Sequence, residues 1–432
     1  MTSRPLLIRG GTLIDPANDV EGFFDVLLQD GVVAAVDRPG RIDDPGSSID
    51  ASGCWVTPGL VDMHVHLREP GYEYKETVAT GTLAAVAGGI TAVACMANTL
   101  PVNDSGAVTE YILERARVTG LARVHPIGAV SQGLGGVHLA EIGEMREAGI
   151  VAVSDDGMPV GDASLMRRAL EYAQSFDLPV IVHEEDPALA GDGVMHEGTT
   201  CFHLGLAGMP SAAEEAMVAR DLAILEQTGG RLHIAHVSTA GSVRLLRDAK
   251  DRGLNVTAEV TPHHFILTDE AVGDYDTSAK MKPPLRTHGD VEVMVEALRE
   301  GVIDAIATDH APHHRDEKKV EFDQAAFGIV GLETSLPLTL RLVREAGLSR
   351  AAMVRAMSVN PARILDLDAG SLAPGMPADV TVIDPDRRWT ATPDRLHSKS
   401  KNSPFLGWEM IGAARATVVA GRVRWPREKE DR

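Results

Sequence analysis

A His-x-His pair is the clearest chemical signal in this sequence. His64 and His66 lie at the end of an apolar run that begins near Trp55. In an extended strand, residues i and i+2 point to the same face, so the two imidazoles would aim at one point. Imidazole nitrogens are common metal ligands, and the pair therefore predicts part of a metal site. A strand that happens to expose two histidines is the simpler alternative, so the prediction requires further ligands at the same place.

Eight short apolar runs, each followed by a helix-like segment, recur through the middle of the chain. They span residues 59–67, 91–96, 123–130, 150–154, 179–183, 232–237, 255–260 and 303–308. Eight strand-then-helix units favour a closed (β/α)8 TIM-like barrel of parallel strands, with an open doubly wound sheet as the competing architecture. Barrel enzymes place their chemistry at the carboxyl ends of the strands, and polar residues gather directly after these runs.

The residues at the strand ends form a nitrogen-and-oxygen set of the kind that zinc favours. Four histidines and one aspartate belong to it: His64, His66, His183, His236 and Asp309. The fourth strand would add a bridging carboxylate, and periodicity alone does not separate Asp155 from Asp156. A divalent metal lowers the pKa of bound water from about 15.7 towards 7, and two metals can share one hydroxide. Asp309 could take the proton of that hydroxide, so the set predicts amide hydrolysis or formation.

Most of the remaining histidines need no catalytic explanation. The chain has 16 histidines, and we assign these to the core or the surface: His125, His138, His196, His203, His233, His288 and His397. His263 and His264 end the seventh strand, where we expect a structural or supporting role. The acidic run 184–186 is more typical of a helix N-terminus than of a metal cluster. Cys54, Cys95 and Cys201 lie far apart with no CxxC, which argues against a cysteine metal site.

The two ends of the chain are rich in short strand patterns. We expect residues 1–57 and 368–432 to form one small β-sandwich domain around a metal-dependent barrel of residues 58–367. A chain of 432 residues with 44% hydrophobic residues can bury a core of that size. No apolar run approaches the roughly 20 residues that cross a bilayer, and the N-terminus lacks a signal-peptide pattern. We therefore expect a soluble cytoplasmic protein.

The net charge of -21 argues against a nucleic-acid partner, because phosphate binding needs a basic face. It also bears on a small anionic substrate. At physiological salt, screening over about 8 Å leaves recognition to local groups. An anion site in this chain must therefore be built from specific cations, such as Arg68 or a metal.

Taken together, these motifs resemble the amidohydrolase superfamily, and within it the type I dihydroorotases. HxH alone is shared across the superfamily, whereas HLREPG at 66–71 together with DHAPH at 309–313 is much more specific. The resemblance covers nearly the whole chain and also includes residues 58–65, 74–77, 88–91, 96–99, 154–157, 182–186, 235–238, 283–286, 327–328 and 374–379.

The resemblance implies a role for each site residue. His64, His66 and Asp309 would bind one zinc, His183 and His236 a second, and Asp156 would bridge them. Arg68, Asn98 and His313 match the family's contacts to the substrate carboxylate, and the backbone of Phe327 and Gly328 matches a contact to the ring. The charged stretch 313–327 would form a mobile lid. The expected cofactor is Zn²⁺, one or two per subunit with a binuclear site favoured.

The implied reaction interconverts (S)-dihydroorotate plus water and N-carbamoyl-L-aspartate in de novo pyrimidine synthesis. Metal-bound hydroxide would attack the ring carbonyl, with Asp309 as acid and base. A hydantoinase-like or allantoinase-like cyclic amidase is the nearest alternative, and a non-catalytic partner of aspartate transcarbamoylase is another. By resemblance we also expect a homodimer, and association with that transcarbamoylase is a further partner to consider.

Two positions depart from the family pattern. Lys282 stands where the family often has an asparagine that contacts substrate; the lysine could supply a positive charge there or point away. Ala97 replaces the proline common before Asn98. The fourth strand also offers no lysine near the bridging position, so the carbamylated lysine of hydantoinases has no candidate here.

Overall fold

The N-terminal part of the chain is a series of short strands. The computed structural model describes residues 4–426, and the outermost residues of the predicted terminal domain, 1–3 and 427–432, lie outside this range. The strands are β1 (Leu6–Arg9), β2 (Thr12–Asp15), β3 (Val20–Phe23), β4 (Asp25–Gln29), β5 (Val32–Asp37), β6 (Ser48–Asp50) and β7 (Trp55–Pro58). After β7 the chain passes so close to Thr91 that a Cβ at Gly59 would lie 2.1 Å from its Oγ1, so this crossing needs glycine.

A sheet of parallel strands follows and forms the centre of the protein. Its strands are β8 (Leu60–Val65), β9 (Ile90–Cys95), β10 (Arg123–Gly128), β11 (Ala152–Ser154), β12 (Val180–Val182), β15 (Leu232–Ile234), β16 (Val256–Val260) and β17 (Ala305–Ile306). Between β12 and β15, the strands β13 (Met195–His196) and β14 (Gly208–Met209) form a separate short pair. Within the described residues, the sheet has eight strands in chain order from β8 to β17. Val65 bridges His310 in parallel and closes it, which confirms the predicted barrel.

Helices between and after the strands cover the outside of the barrel. They are α1 (Val78–Ala87), α2 (Gly106–Thr119), α3 (Ile142–Ala148), α4 (Ala163–Gln174), α5 (Pro187–Ala190), α6 (Thr199–Leu204), α7 (Ala212–Thr228), α8 (Ala240–Asp251), α9 (Pro262–Ile266), α10 (His288–Glu300), α11 (Arg315–Lys318), α12 (Ser335–Glu345), α13 (Arg350–Val354) and α14 (Asn360–Ile364). Leu165 and Ala169 lie on the buried face of α4, and α2 and α7 begin after Ser105 and Ser211.

The C-terminal strands pair with the N-terminal ones. They are β18 (Val380–Thr390), β19 (Glu409–Val419) and β20 (Arg422–Trp425). One sheet has the order β5-β4-β1-β6 and the other β20-β19-β18-β7-β2-β3, so strands from both ends of the chain share the second sheet. Ile8, Val26 and Val382 belong to one buried cluster, which confirms the β-sandwich. Strands β19 and β20 are antiparallel and are joined by a turn at Ala420 and Gly421, both at positive φ.

The first barrel strand is irregular where the His-x-His pair begins. The pairing of β8 with β9 shifts register between Asp62 and Val65. Met63 packs in the cluster inside the barrel, and His64 also faces the interior, where it contacts strand β16. Regular alternation would turn His64 outward, so the irregularity aims it at the barrel centre. His66 lies one residue beyond the strand and donates its backbone N–H to His310.

No helix within residues 4–426 is both long enough and apolar enough to cross a membrane.

Candidate metal centre

Polar side chains from the carboxyl ends of five barrel strands meet inside the barrel mouth. They follow or end β8, β11, β12, β15 and β17, and each of these side chains is buried: His64, His66, Asp156, His183, His236 and Asp309. Because parallel strands all deliver their carboxyl ends to one rim, residues that are far apart in sequence become neighbours there.

Asp156 is the carboxylate that two histidine pairs share. Its Oδ1 lies 3.4 Å from Nε2 of His64, and its Oδ2 lies 3.4 Å from Nε2 of His66. Oδ1 is also 3.4 Å from Nε2 of His236 and 3.6 Å from Nδ1 of His183. Each pair therefore forms with Asp156 a group of ligand atoms within 4.8 Å of one another. This is the geometry of a carboxylate between two cation positions.

Its neighbour Asp155 faces the other way. Oδ1 of Asp155 accepts hydrogen bonds from the backbone N–H of Val130 at 2.8 Å and of Ser131 at 3.0 Å, and Oδ2 accepts from the Ser131 hydroxyl. Asp155 thus fixes the loop after β10, and Asp156 is the member of the pair that faces the histidines.

Asp309 lies against the first histidine pair. Its Oδ1 is 3.0 Å from Nε2 of His66 and 3.5 Å from Nε2 of His64. Asp62 holds this region in place from behind: its carboxylate accepts hydrogen bonds from the hydroxyl of Thr308 at 2.6 Å, the Thr308 N–H at 3.1 Å and the His64 N–H at 3.2 Å. The ends of β8 and of the loop after β17 are therefore fixed by one carboxylate.

Partners behind the imidazoles set the ring orientations. Nδ1–H of His64 donates to Oε1 of Glu259 at 2.6 Å, and Nδ1–H of His66 donates to Oδ1 of Asn98 at 2.8 Å. These bonds place Nε2 of each ring towards the two aspartates, as the supporting carboxylates of metal-bound histidines do. The role of Glu259 was missed in the sequence, because a single acidic residue in an apolar strand carries no motif.

The ring of His183 is oriented through a longer contact. Its Nε2 lies 3.9 Å from Oε2 of Glu185, while Nδ1 lies 3.0 Å from Nε2 of His236. The other oxygen of Glu185 is 2.7 Å from Nζ of Lys282. Lys282 therefore points to the carboxylate behind a predicted metal ligand, a contact that its sequence position alone did not indicate.

Three site residues have a backbone conformation that side chains rarely adopt. The φ angles are 61° at Arg68, 34° at His236 and 46° at Asp309. Such conformations cost free energy and persist only where the surrounding structure enforces them, and they cluster at functional sites.

The charges of the site favour a bound cation. Burial alone would raise the pKa of Asp156, but His64 and the other histidines around it outweigh burial and hold the pKa well below its usual range. Asp309 behaves in the same way: burial opposes its ionisation, while His64 and His66 lower its pKa. Two neighbouring carboxylates are thus kept as anions in a buried place.

An unsatisfied nitrogen supports the same conclusion. Within the described residues, Nε2 of His64 is buried and has no hydrogen-bond partner, although it faces Asp156 and Asp309. A buried polar atom without a partner is costly, and a cation between the imidazoles and the carboxylates would satisfy it. The residues present therefore fit a divalent metal with nitrogen and oxygen ligands.

Arg68 and His313 lie together at the edge of this cluster. Nε of Arg68 donates to the carbonyl of Pro312 at 3.2 Å, and Nη2 lies 3.4 Å from Nε2 of His313. Burial, together with the charges of Arg68 and Lys75, lowers the pKa of His313 to about 2. His313 is therefore neutral near pH 7, and Arg68 supplies the positive charge of this edge.

The two histidines after the seventh strand have different surroundings. Nε2–H of His264 donates to the Pro283 carbonyl at 3.0 Å, and Nδ1 accepts from the Thr261 hydroxyl at 2.7 Å, which suits the expected structural role. Nε2 of His263 is buried without a hydrogen-bond partner in residues 4–426. His233, assigned to the core, is buried and has Nε2 3.3 Å from Glu259, so it supports the carboxylate that orients His64.

Comparison with known proteins agrees with the geometry. A family model described as Dihydro-orotase-like matches residues 53–242. A protein of Geobacter metallireducens named Dihydroorotase is 56% identical over 422 residues, covering 98% of this chain and 100% of its own. One of Anaeromyxobacter dehalogenans with the same name is 57% identical over 431 residues, covering 99% of both chains.

Solved structures show the same architecture. An L-hydantoinase (dihydropyrimidinase) from Arthrobacter aurescens has a TM-score of 0.88 at 25% identity and covers 97% of this chain and 95% of its own. A D-hydantoinase from Thermus sp. has a TM-score of 0.81 at 25% identity, covering 97% of this chain and 94% of its own.

Proposed function

The chain belongs to the dihydroorotase family, and from that premise we propose that it interconverts (S)-dihydroorotate plus water and N-carbamoyl-L-aspartate in de novo pyrimidine synthesis. The observation that supports this most directly is the buried cluster around Asp156 with the Arg68–His313 pair at its edge. A cyclic amide hydrolase needs the first feature, and a substrate with a free carboxylate needs the second.

We propose that the metal is zinc, with two ions per subunit favoured over one. His64, His66 and Asp309 would hold one ion, His183 and His236 the other, and Asp156 would contribute to both. When bound, zinc supplies a water of lowered pKa and polarises the ring carbonyl.

The side chains of the chain itself would handle the substrate and the proton. Arg68, Asn98 and His313 would bind the free carboxylate and fix the ring, with the backbone of Phe327 and Gly328 on the ring edge. Asp309 would accept a proton from the attacking water and return it to the ring nitrogen as the amide C–N bond breaks. The remaining OH of the water stays on the carbonyl carbon as a carboxylic acid, which releases its proton to solvent and becomes the new carboxylate. Nζ of Lys282 lies 2.7 Å from Glu185 and 5.4 Å from the centre of the Phe327 ring, and it would contribute positive charge beside the substrate ring.

A hydantoinase-like activity is the second candidate, because hydantoinases share the fold. Arg68 favours dihydroorotate over hydantoin, since a half-buried guanidinium beside the metal cluster suits a carboxylate that hydantoin lacks. A panel of dihydroorotate, hydantoin and allantoin tests this choice. We expect turnover of dihydroorotate to exceed that of the others by at least about 10³, because a site built to pair with a polar group discriminates strongly against an analogue that lacks it. Equal or faster turnover of hydantoin or allantoin would overturn the proposal.

A non-catalytic partner of aspartate transcarbamoylase is the remaining alternative. Such a protein would be expected to lack metal ligands, whereas the six predicted ligand side chains are present and lie together. A catalytic subunit can still associate with the transcarbamoylase, and we propose a homodimer and a cytoplasmic location for the enzyme.

We also propose that the barrel of residues 58–367 and the β-sandwich of 1–57 and 368–432 are the two domains. The first boundary is supported by Gly59, which separates strand β7 of the sandwich from strand β8 of the barrel. The second is supported by Leu367, which still packs against the inner barrel cluster, whereas Leu372 packs in the sandwich.

A further inference from the structure

Two buried lysines lie behind the segment that would contact the substrate ring. Lys280 is 1% exposed and Lys318 is 7% exposed. Neither ammonium forms an ion pair with any residue of the range 4–426, and both donate to backbone carbonyls instead. Buried lysines usually have a carboxylate partner, so this arrangement calls for an explanation.

Each ammonium binds the loop that follows the barrel. Nζ of Lys280 donates to the carbonyls of Phe322 at 2.7 Å and Asp323 at 3.0 Å. Nζ of Lys318 donates to the carbonyls of Ala326 at 2.7 Å and of Lys280 at 3.2 Å. Hydrogen bonds from the two ammonium groups thus hold the loop from 318 to 326 at three of its carbonyls. The ammonium of Lys318 also links this loop to the backbone carbonyl of residue 280.

Phe327 and Gly328, which follow this loop, also contact the two lysines or their hydrogen-bond partners. The backbone N–H of Gly328 donates to the carbonyl of Lys280 at 3.0 Å, so that carbonyl accepts from both Gly328 and Lys318. Nζ of Lys280 lies 4.4 Å from the centre of the Phe327 ring, within the range of a cation–π contact. Phe327 thus contacts the ammonium of Lys280, and Gly328 is bonded to a carbonyl that Lys318 also contacts.

The loop has space to move if these contacts are lost. A cavity of about 530 Å³ lies beside it, lined by Val194, Ala207, Lys282, Asp323, Gln324 and Phe327. A Phe327 ring without its cation could turn into this cavity. Two ammonium groups donate directed hydrogen bonds to carbonyls, whereas two apolar side chains of equal volume cannot.

We propose that Lys280 and Lys318 form a clamp that positions Phe327 and Gly328 for binding of the substrate ring. They are positioning residues, since they act through the loop and do not contact the reacting atoms. This inference rests on the proposed dihydroorotase function, which brings the ring to Phe327 and Gly328. Both lysines lie apart from the predicted metal ligands, so loss of the clamp should weaken binding and leave the metal in place.

Steady-state kinetics of Lys280→Met and Lys318→Met test the clamp on the full chain. Methionine keeps most of the side-chain length and removes the charge. We expect KM for dihydroorotate to rise about tenfold in each variant, because each loses two hydrogen bonds that hold the loop. We expect kcat to stay within about threefold and metal content to be unchanged. Lys319→Met, an exposed neighbour on the same segment, is the matched control and should behave as the wild type.

Hydrogen–deuterium exchange of residues 313–328 tests the same clamp without substrate. The Gly328 amide should exchange about tenfold faster in both methionine variants and at the wild-type rate in Lys319→Met. If a methionine variant does not fold, Lys280→Gln or Lys318→Gln takes its place in both measurements. Unchanged KM or unchanged exchange in the folded variants overturns the clamp, as does a loss of metal with the rise in KM. Absence of dihydroorotate turnover in the wild type overturns the proposed function instead. In that case the hydrogen–deuterium exchange rates alone test whether the two lysines hold the loop.

Discussion

At the residue scale, Asp309 and Asp156 are similar side chains in different surroundings. Asp156 lies between two histidine pairs, whereas Asp309 contacts only the first pair and lies closer to His66, at 3.0 Å. A carboxylate at the edge of the cluster can exchange a proton with a reacting group, while one enclosed by imidazoles on both sides is better placed to hold cations.

Substitution of Asp309 by asparagine should therefore abolish most turnover. The amide keeps the shape and one oxygen of the carboxylate but cannot accept the proton, and we expect kcat to fall by at least about 10³. Circular dichroism and metal analysis should show an intact fold with metal retained. Asp316→Asn, at an exposed aspartate on helix α11, is the control. Near-normal turnover of Asp309→Asn would remove Asp309 from the acid–base role.

Arg68 should determine binding of the substrate carboxylate. Arg68→Met removes the charge, and we expect kcat/KM for dihydroorotate to fall by about 10² to 10³, as for loss of a charge-assisted pair of hydrogen bonds. Arg68→Lys should recover only part of the loss, because lysine cannot bind a carboxylate with a planar fork. A kcat/KM within threefold of wild type in Arg68→Met would show that the carboxylate is bound elsewhere.

The pH dependence of stability should reveal the burial of Lys318. Burial and the nearby charge of Lys280 lower the pKa of Lys318 to about 7, while Asp276 and Glu317 act in the opposite direction. Between that pH and the unfolded pKa of about 10.4, the unfolded chain binds more protons at this lysine than the folded one. The contribution of Lys318 to the free energy of unfolding therefore rises with pH over this window.

The stability of Lys318→Met relative to wild type should follow this sign. Methionine removes the free-energy cost of burying the ammonium. The Tm of the variant relative to that of the wild type should therefore be higher at pH 6.5 than at pH 9.5. Thermal unfolding at the two pH values measures the difference, with Lys319→Met as the reference. An equal difference in Tm at both values, or a larger gain at pH 9.5, would contradict the lowered pKa.

At the scale of elements, the barrel strands were predictable and their irregularities were not. The eight apolar runs overlap the eight barrel strands, because a strand buried on both faces appears as a continuous apolar run. The register shift in β8 could not be predicted, since it depends on pairing with β9. The prediction that one extended strand aims both histidines was thus incomplete: His64 faces inward through the irregularity and His66 lies beyond the strand.

The residues behind the site were missed for a related reason. Asp62 binds Thr308, Glu185 binds Lys282 and Glu259 binds His64, and no spacing in the chain announces these long-range contacts. Residues that carry a dense local motif, such as His64 and His66, could be proposed from the sequence. Buried single carboxylates could be identified only from the structure.

Glu259 on β16 offers a test of this supporting layer. Glu259→Gln weakens the hydrogen bond that orients His64, and loss of such a partner typically reduces metal affinity about 10- to 100-fold. Titration with a competing chelator measures the affinity. Glu296→Gln, on the exposed face of α10, is a control of the same chemistry. Wild-type affinity in Glu259→Gln would mean that His64 keeps its orientation without this carboxylate.

At the scale of the whole molecule, the sandwich and the barrel are joined by more than the chain crossing at Gly59. Arg123 of β10 binds both oxygens of Asp379, at 2.6 and 3.2 Å, and the carbonyl of Asp379 accepts the N–H of Gly59. Loops beyond the barrel also reach the site region: Asn402 accepts the N–H of His313 at 3.1 Å. The C-terminal part of the chain therefore helps to hold a residue of the proposed carboxylate site.

The central claim is that the protein molecules that bind metal are the ones that turn over dihydroorotate. Metal content and turnover, the latter followed by absorbance, should be measured on one sample before chelation, after chelation and after return of zinc. We predict at least one zinc per chain, loss of activity in proportion to metal removed, and recovery when zinc is restored. Full turnover of dihydroorotate by chains free of divalent metal would contradict the account, as would metal-replete chains that turn over no dihydroorotate.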